Sequence, residues 1–186
     1  FFTARDSSFH DFVKEWRQSG VLTKWSTGFP SITHTFHGDG HACYRGLGGM
    51  NAVAKHLSVG LEIRVASRVT RLERLTSGWE VAADDGATHQ ANSVILTPPV
   101  PQSLELIASG GFQLPDALRD ELTPINYRRC LALLARLEGH ASVPHPGAVW
   151  LSGEPVYWIA DNTLKGTTNP SDGHGCLTIH GGPVFS

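Results

Sequence analysis

Residues 44–101 constrain the fold more than any other part of the chain, because a turn, a helix, a hairpin and a strand follow one another there. The glycine-rich turn is GLGGMN at 46–51, and a short helix is expected over 50–58. LEIRVASRVTRLERL and WEVAA then alternate apolar and polar residues with period two, and the SGW and DDG turns are typical of hairpins. ANSVILTPP predicts an apolar strand that the two prolines end, because proline removes a donor from the ladder.

Helices and short strands also surround this stretch. Residues 7–18 place apolar side chains at helical spacing, with Ser7 or Ser8 as the N-cap and Gly20 as the C-terminal stop. The later segments predict two short helices in SLELIASGG and LPDALRDELTPI, and strands in RRCLALLARLEG (with helix as an alternative), AVWLSG, PVYWIADN and CLTIHGG. Helices and strands intermix without the alternation of a doubly wound sheet, which favours an α+β fold, or a mixed-sheet portion of a larger α/β protein.

Length and composition limit the classes of function. At 186 residues the chain suits one domain or two small ones, with a boundary expected near Thr97–Ser103. A net charge of -2 and the lack of a Lys/Arg stripe argue against a nucleic-acid partner. No apolar run approaches the roughly 20 residues that span a bilayer, so no membrane partner is expected. Cys43, Cys130 and Cys176 form no CxxC pair, and a reducing cytoplasm fits them best.

Both ends of the chain are unusual for a complete domain. Phe1 follows no Met, basic segment or small-residue cleavage site, and the last residues are the apolar HGGPVFS. We therefore expect a processed or truncated polypeptide.

The 46–51 turn is a near miss for the dinucleotide motif G-x-G-x-x-G, with Asn51 in place of the third glycine. A true fingerprint follows a buried strand and has an acidic residue about 20 positions on, and this sequence meets neither condition. The turn is therefore a weak candidate for a pyrophosphate cradle. A turn that lets a helix pack closely on a sheet is the simpler interpretation.

His34, His37 and His41, with Asp39 between them, resemble metal ligands. A zinc site needs three or four converging ligands on a rigid frame, whereas this segment is rich in Thr, Gly and Ser and contains no HExxH or CxxC motif. A solvated loop without metal is therefore expected. A metal-dependent hydrolase remains an alternative only through this cluster.

His180 is a stronger candidate for chemistry in a chain that has no G-x-S-x-G elbow and no P-loop. It follows the apolar segment 177–179 and precedes Gly181 and Gly182. Its imidazole is thus expected at the end of a buried strand beside a glycine-rich turn, where titratable catalytic groups often lie. From the residues alone, a histidine that only caps the strand end is the favoured interpretation.

Several segments resemble the flavin-dependent amine oxidases, in particular their renalase-like branch. FFTARDSSF, YRGLGGMNAVAKHL, SRVTRLE and VILTPPVPQ are similar in order to flavin-side segments of that family, and INYRRCLALLARLEG, WIADN and LTIH to substrate-side segments. The similarity extends over almost the whole chain, and the WIADN and LTIH pair is its most specific part. It implies that 1–43 link the flavin and substrate domains, that 44–101 form a hairpin portion of the flavin domain, and that 102–186 form the substrate domain.

The resemblance also implies FAD as cofactor, a small-molecule substrate and a set of site residues. His180 and Asn162 would be catalytic and face the substrate side of the flavin, while Trp158 and Phe2 would bind the substrate. The implied activity passes a hydride from a dihydronicotinamide or an amine to flavin and then to oxygen. The implied cofactor-binding residues are Thr3, Gly48, Gly49, Met50, Val69, Thr97 and Pro98.

The sequence departs from that family in two places, because the N-terminal G-x-G-x-x-G unit and the C-terminal flavin segment are absent. Without the first, no helix N-terminus of this chain is expected to hold the pyrophosphate. We therefore expect an internal fragment that binds FAD poorly or not at all and is inactive in isolation. The alternative is a non-catalytic binding module that keeps the substrate-domain fold without FAD.

Overall fold

A computed structural model of the protein describes residues 1–32, 40–152, 155–167 and 173–186. The chain divides into two compact units: unit 1 is Phe1–Leu61 with Arg129–Ser186, and unit 2 is Glu62–Arg128. These ranges differ from the three predicted ones, and the boundary expected near Thr97–Ser103 falls inside unit 2. The assignment of flavin-side and substrate-side roles stays a prediction.

The described residues of unit 1 form two antiparallel sheets and two helices. Its first sheet has the strand order β1-β3-β2, and its second has the order β7-β10-β9-β8. Its elements are β1 (Phe2–Thr3), α1 (Ser7–Gln18), β2 (Leu22–Ser26), β3 (Cys43–Gly46), α2 (Asn51–Leu57), β7 (Ala132–Glu138), β8 (Ala148–Trp150), β9 (Val156–Asp161) and β10 (His174–Gly181).

Helix α1 has the predicted range but a different N-cap. Asp6 has extended backbone angles, and its Oδ1 accepts a hydrogen bond from the Ser8 amide at 2.7 Å. The prediction of Ser7 or Ser8 as the N-cap was wrong, because both serines already lie inside the first helical turn. Gly20 follows the helix with a φ of 73°, a conformation that glycine adopts without strain, as expected of a C-terminal stop.

Unit 2 is a three-stranded antiparallel sheet with two short helices. Its strand order is β4-β5-β6, and Leu72 and Ala83 are its buried apolar residues. Its elements are β4 (Val69–Arg74), β5 (Trp79–Ala83), β6 (Thr88–Ala91), α3 (Val100–Ser109) and α4 (Asp116–Leu122).

Two strand predictions in this region require correction. The alternating segment 61–75 forms a strand only from Val69 onward. ANSVILTPP does not form the predicted strand, because the third strand of the sheet is β6, which ends at the first residue of that segment. Val94 and Leu96 do face a cavity of about 190 Å³ that Leu72 also lines, whereas Ile95 is 89% exposed. The alternation is therefore real, but within the described residues no neighbouring strand pairs with this segment.

The combination of separate helices and antiparallel sheets confirms the predicted α+β class. RRCLALLARLEG contains the strand β7, so the strand prediction was correct and the helical alternative was wrong. In the described ranges, no helix combines the length and the apolar character that crossing a membrane requires.

Candidate functional site

His180 and Trp158 lie side by side on one face of the second sheet of unit 1. Strand β10 pairs with β9 so that His180 is directly opposite Trp158, and it pairs with β7 so that His180 is opposite Ala132. Residues directly opposite each other in an antiparallel pair project from the same face of the sheet. The half-buried imidazole and the buried indole therefore belong to one surface.

Asn162 is held next to this surface by the strand that carries His180. Its Nδ2 donates a hydrogen bond to Thr178 Oγ1 at 2.8 Å, and Thr178 shares a face with His180 because the two residues are two positions apart on β10. The Asn162 backbone is also fixed, since its amide donates to the Cys176 carbonyl at 2.7 Å and its carbonyl accepts from the Thr167 amide at 2.9 Å. The structure thus places His180 opposite Trp158 and joins Asn162 to Thr178, two positions along β10 from His180.

An aromatic cluster surrounds Trp158. The ring centroid of Trp158 is 4.2 Å from that of Trp150, 4.9 Å from that of Phe29 and 5.8 Å from that of Phe1. Phe29 is buried, and Trp25 packs against it at 4.6 Å. Such a wall excludes water and suits a flat, apolar group. The members of the aromatic cluster are Phe1, Trp25, Phe29, Trp150 and Trp158.

Phe2 is not part of the aromatic cluster. Its ring packs instead against Phe9 and Tyr44, each with a centroid distance of 5.9 Å, in the separate core that α1 forms. Phe1 packs in the aromatic cluster instead, because neighbouring residues of an extended segment project to opposite sides. Thr3 pairs with Cys43 in the first sheet.

Phe1, Trp25 and Phe29 were not predicted from the sequence as members of this cluster. The phenylalanine pair at the start of the chain was a usable signal, but sequence alone does not tell which of two neighbours faces the site.

The 46–51 turn closes on itself. Gly49 has a φ of 115°, and its amide donates to the Gly46 carbonyl at 3.2 Å, while the Gly46 amide donates to Met50 Sδ at 3.4 Å. A Cβ on Gly46 would lie 2.1 Å from the Gly49 carbonyl oxygen, so glycine is required for this internal contact. Gly48, with a φ of 78°, is exposed. The amides of Gly46 and Gly49 are therefore already hydrogen-bonded within the turn, and a cofactor role for Gly48, Gly49 and Met50 stays a prediction.

Unit 2 contains a cleft of about 640 Å³ that includes two of the predicted cofactor residues, Val69 and Pro98. The cleft combines apolar walls with an amide, a carboxylate and a guanidinium group, a lining that suits a planar heterocycle with polar edges. Thr97 precedes Pro98 but does not line the cleft. The lining residues are Arg68, Val69, Thr70, Pro98, Gln102, Glu105 and Leu106.

The predicted cofactor residues are divided between the units. Val69, Thr97 and Pro98 belong to unit 2. The others belong to unit 1 and are Thr3, Gly48, Gly49 and Met50.

A metal site is not found among the described residues, where no three His, Cys, Asp or Glu side chains are grouped closely enough to hold an ion. His34 and His37 lie outside the described residues, and His41 lies within them.

Comparison with known protein families gives a match to flavin containing amine oxidoreductase over residues 10–177. The chain belongs to this family. Renalase from Mus musculus is 32% identical to this member over 87 residues, which are 46% of the chain and 25% of renalase.

Solved structures share the fold of this chain. Putrescine oxidase bound to putrescine matches with a TM-score of 0.52 and 20% identity over 76% of the chain and 30% of that protein. A Pyrococcus furiosus protein matches with a TM-score of 0.53 and 16% identity over 76% of the chain and 36% of that protein. The chain therefore spans about a quarter to a third of the length of these relatives.

Proposed function

We propose that this chain forms the substrate side of an FAD-dependent oxidoreductase that oxidises a dihydronicotinamide or an amine. The family membership supports the flavin, and the similarity to renalase and to a putrescine oxidase supports a small-molecule substrate. FAD, when bound, supplies the hydride acceptor, whose reoxidation by oxygen yields hydrogen peroxide. The chain itself binds and orients the substrate and excludes water.

The observation that carries this proposal is the placement of His180 opposite Trp158, on the face that the aromatic cluster covers. The aromatic wall holds an apolar part of the substrate, and the His180 imidazole orients the substrate by a hydrogen bond and stabilises charge as it develops. One Asn162 N–H is used by Thr178, which leaves its Oδ1 and a second N–H for the substrate. We assign the N-terminal aromatic contact to Phe1, because Phe2 packs elsewhere.

For the cofactor, we propose that the cleft of unit 2 receives the adenosine half of FAD. Val69, Pro98 and Leu106 provide apolar contact, and the Gln102 amide and Glu105 carboxylate provide partners for the base edge and the ribose hydroxyls. The 46–51 turn acts indirectly, by supporting α2. Since two amides of that turn are already hydrogen-bonded within it, we expect the 186 residues alone to retain little FAD.

The test uses protein purified from the open reading frame that contains these residues. We expect the visible absorbance of oxidised flavin, and we expect it to bleach when a dihydronicotinamide or an amine is added without oxygen. A His180→Gln variant should keep the absorbance and lose about 10²-fold in kcat/KM, because the glutamine amide does not place its N–H where the preorganised imidazole N–H lies.

His140→Gln is the matched control, because His140 is exposed and lies outside the described site. It should bind flavin and turn over like the wild type. A colourless protein that takes up no added FAD would contradict the proposal and support a binding module. Full activity of His180→Gln would remove His180 from the site.

A further inference from the structure

A second cleft, on unit 1, collects positive charge. It has a volume of about 300 Å³ and lies between β2, β3 and the turn after β9. Three of its side chains are cationic and none is a carboxylate. The lining residues are Lys24, Trp25, Arg45, His145, Pro146, Leu164 and Lys165.

Lys165 is positioned against the indole of Trp25. Its Nζ lies 4.6 Å from the ring centroid, and the indole is itself fixed because Trp25 Nε1 donates to the Pro146 carbonyl at 2.9 Å. Burial lowers the pKa of Lys165, and the positive charge of Arg45 lowers it further. The ammonium group is thus partly removed from water and lies close to a like charge. A bound anion would offset both the lost hydration and the repulsion between the two cations.

Arg45 is positioned by the turn that carries Lys165. Its Nη1 donates to the Gly166 carbonyl at 3.1 Å, and a Cβ at Gly166 would lie 2.8 Å from Nη2, so a glycine there lets the guanidinium lie against the turn. A guanidinium has five N–H donors, and this contact uses one of them. Among the described residues, no carboxylate forms an ion pair with Arg45, Lys165 or Lys24.

We propose that this cleft binds the oxyanion group, phosphate or carboxylate, of a small ligand. The Arg45 fork suits two oxygens of such a group, and Lys165 adds a point charge beside it. Pro146, Leu164 and the indole edge of Trp25 provide room for an apolar part of the ligand next to the oxyanion.

The site is distinct from the surface that carries His180. The two share only Trp25, which lines the cleft and whose centroid is 6.4 Å from that of Trp158 in the aromatic cluster. Binding of an oxyanion requires no flavin. The proposal is therefore independent of the proposed oxidoreductase function and can fail or succeed separately from it.

The test titrates the ¹⁵N-labelled 186-residue chain with inorganic phosphate and, separately, with benzoate, while chloride keeps the ionic strength constant. The readout is the NMR signal of the Trp25 indole N–H, assigned from a Trp25→Phe variant. We expect a saturable shift. Tighter binding of phosphate would identify a phosphorylated ligand, and tighter binding of benzoate would identify a carboxylate next to an apolar group.

Single substitutions distinguish binding in the cleft from nonspecific electrostatic attraction of anions to the protein. Arg45→Gln and Lys165→Gln should each weaken binding about tenfold or more, because each removes a charge-assisted contact. Lys14→Gln removes the same charge from the exposed face of α1 and should change nothing. Lys165→Arg keeps the charge and should bind more tightly than Lys165→Gln, which separates loss of charge from loss of structure.

Three results would overturn the proposal. They are the absence of a saturable shift with both anions, an equal weakening in Lys14→Gln, and unchanged binding in both Arg45→Gln and Lys165→Gln.

Discussion

Asp161 is a buried carboxylate that shapes the turn carrying Asn162. Its Oδ1 accepts hydrogen bonds from the amides of Thr163 at 2.8 Å and Leu164 at 3.1 Å, and only 2% of the residue is exposed. An acidic side chain that accepts from the next backbone amides stabilises such a turn. Asp161 therefore positions Asn162 relative to Thr178, although it makes no contribution to the chemistry we propose.

At this position we expect Asp161→Ala to reduce the free energy of unfolding by about 1–3 kcal/mol, because two half-buried amides lose their acceptor. Asp161→Asn keeps an accepting oxygen and should lose less. Urea-induced unfolding of the 186-residue chain measures both values. Equal losses in the two variants would show that the charge of Asp161, rather than its role as an acceptor, stabilises the turn.

Among the elements, α1 illustrates how a cap couples helix stability to pH. Hydrogen bonds from the Ser8 hydroxyl and amide hold the pKa of Asp6 below its ordinary value of 3.8, and His10 adds to the shift. A carboxyl whose pKa is lowered by folding stabilises the folded state at pH values above its pKa in the unfolded chain. That stabilisation is lost as the pH falls through its pKa in the folded protein.

We therefore predict that the stability advantage of the wild type over Asp6→Ala is constant above a pH of about 4 and shrinks below it. Asp6→Asn keeps the acceptor and does not titrate, so its advantage over Asp6→Ala should not change across the same range. Chemical unfolding at a series of pH values measures both. A constant advantage of the wild type into acid would contradict the assigned cap.

Strand elements also show which features of the fold are accessible from sequence. Strands β7 and β10 were predicted correctly, because turns bracket both segments and the two strands pair with each other. The apolar positions at 61, 63 and 65 alternate equally well, yet Val65 is 84% exposed and no strand forms there. Alternation reports which face a residue occupies, whereas a strand also needs a neighbouring strand to which its backbone is hydrogen-bonded.

The same limit applies to the candidate site. His180, Trp158 and Asn162 were assigned to the site through the family resemblance; the register of β9 and β10 places His180 opposite Trp158, and Asn162 is hydrogen-bonded to Thr178. The cleft with Arg45 and Lys165 was not predicted, since its residues come from segments about 120 positions apart. Charge clusters that only the tertiary fold assembles leave no local sequence signal.

At the scale of the whole molecule, the two units differ in how much apolar surface they bury. Ten of the twelve buried apolar residues in the described parts lie in unit 1, and Leu72 and Ala83 are the two in unit 2. Unit 2 also contains the cavity of about 190 Å³ beside Leu72. Because local stability follows the number of buried apolar contacts, unit 2 should open more readily than unit 1.

Hydrogen exchange tests this difference directly. We expect backbone amides of β4 and β5 to exchange at least about tenfold faster than those of β9 and β10, since a difference of 1.4 kcal/mol in opening free energy corresponds to that factor. Leu72→Ala should accelerate exchange in unit 2, because it enlarges an existing cavity. Val81→Ala provides the comparison, as Val81 is half-buried in the same sheet and does not line that cavity. Similar protection of all four strands would mean that the sparse core of unit 2 is compensated by its hydrogen-bonded ladder, and burial would then be a poor guide to local stability in this chain.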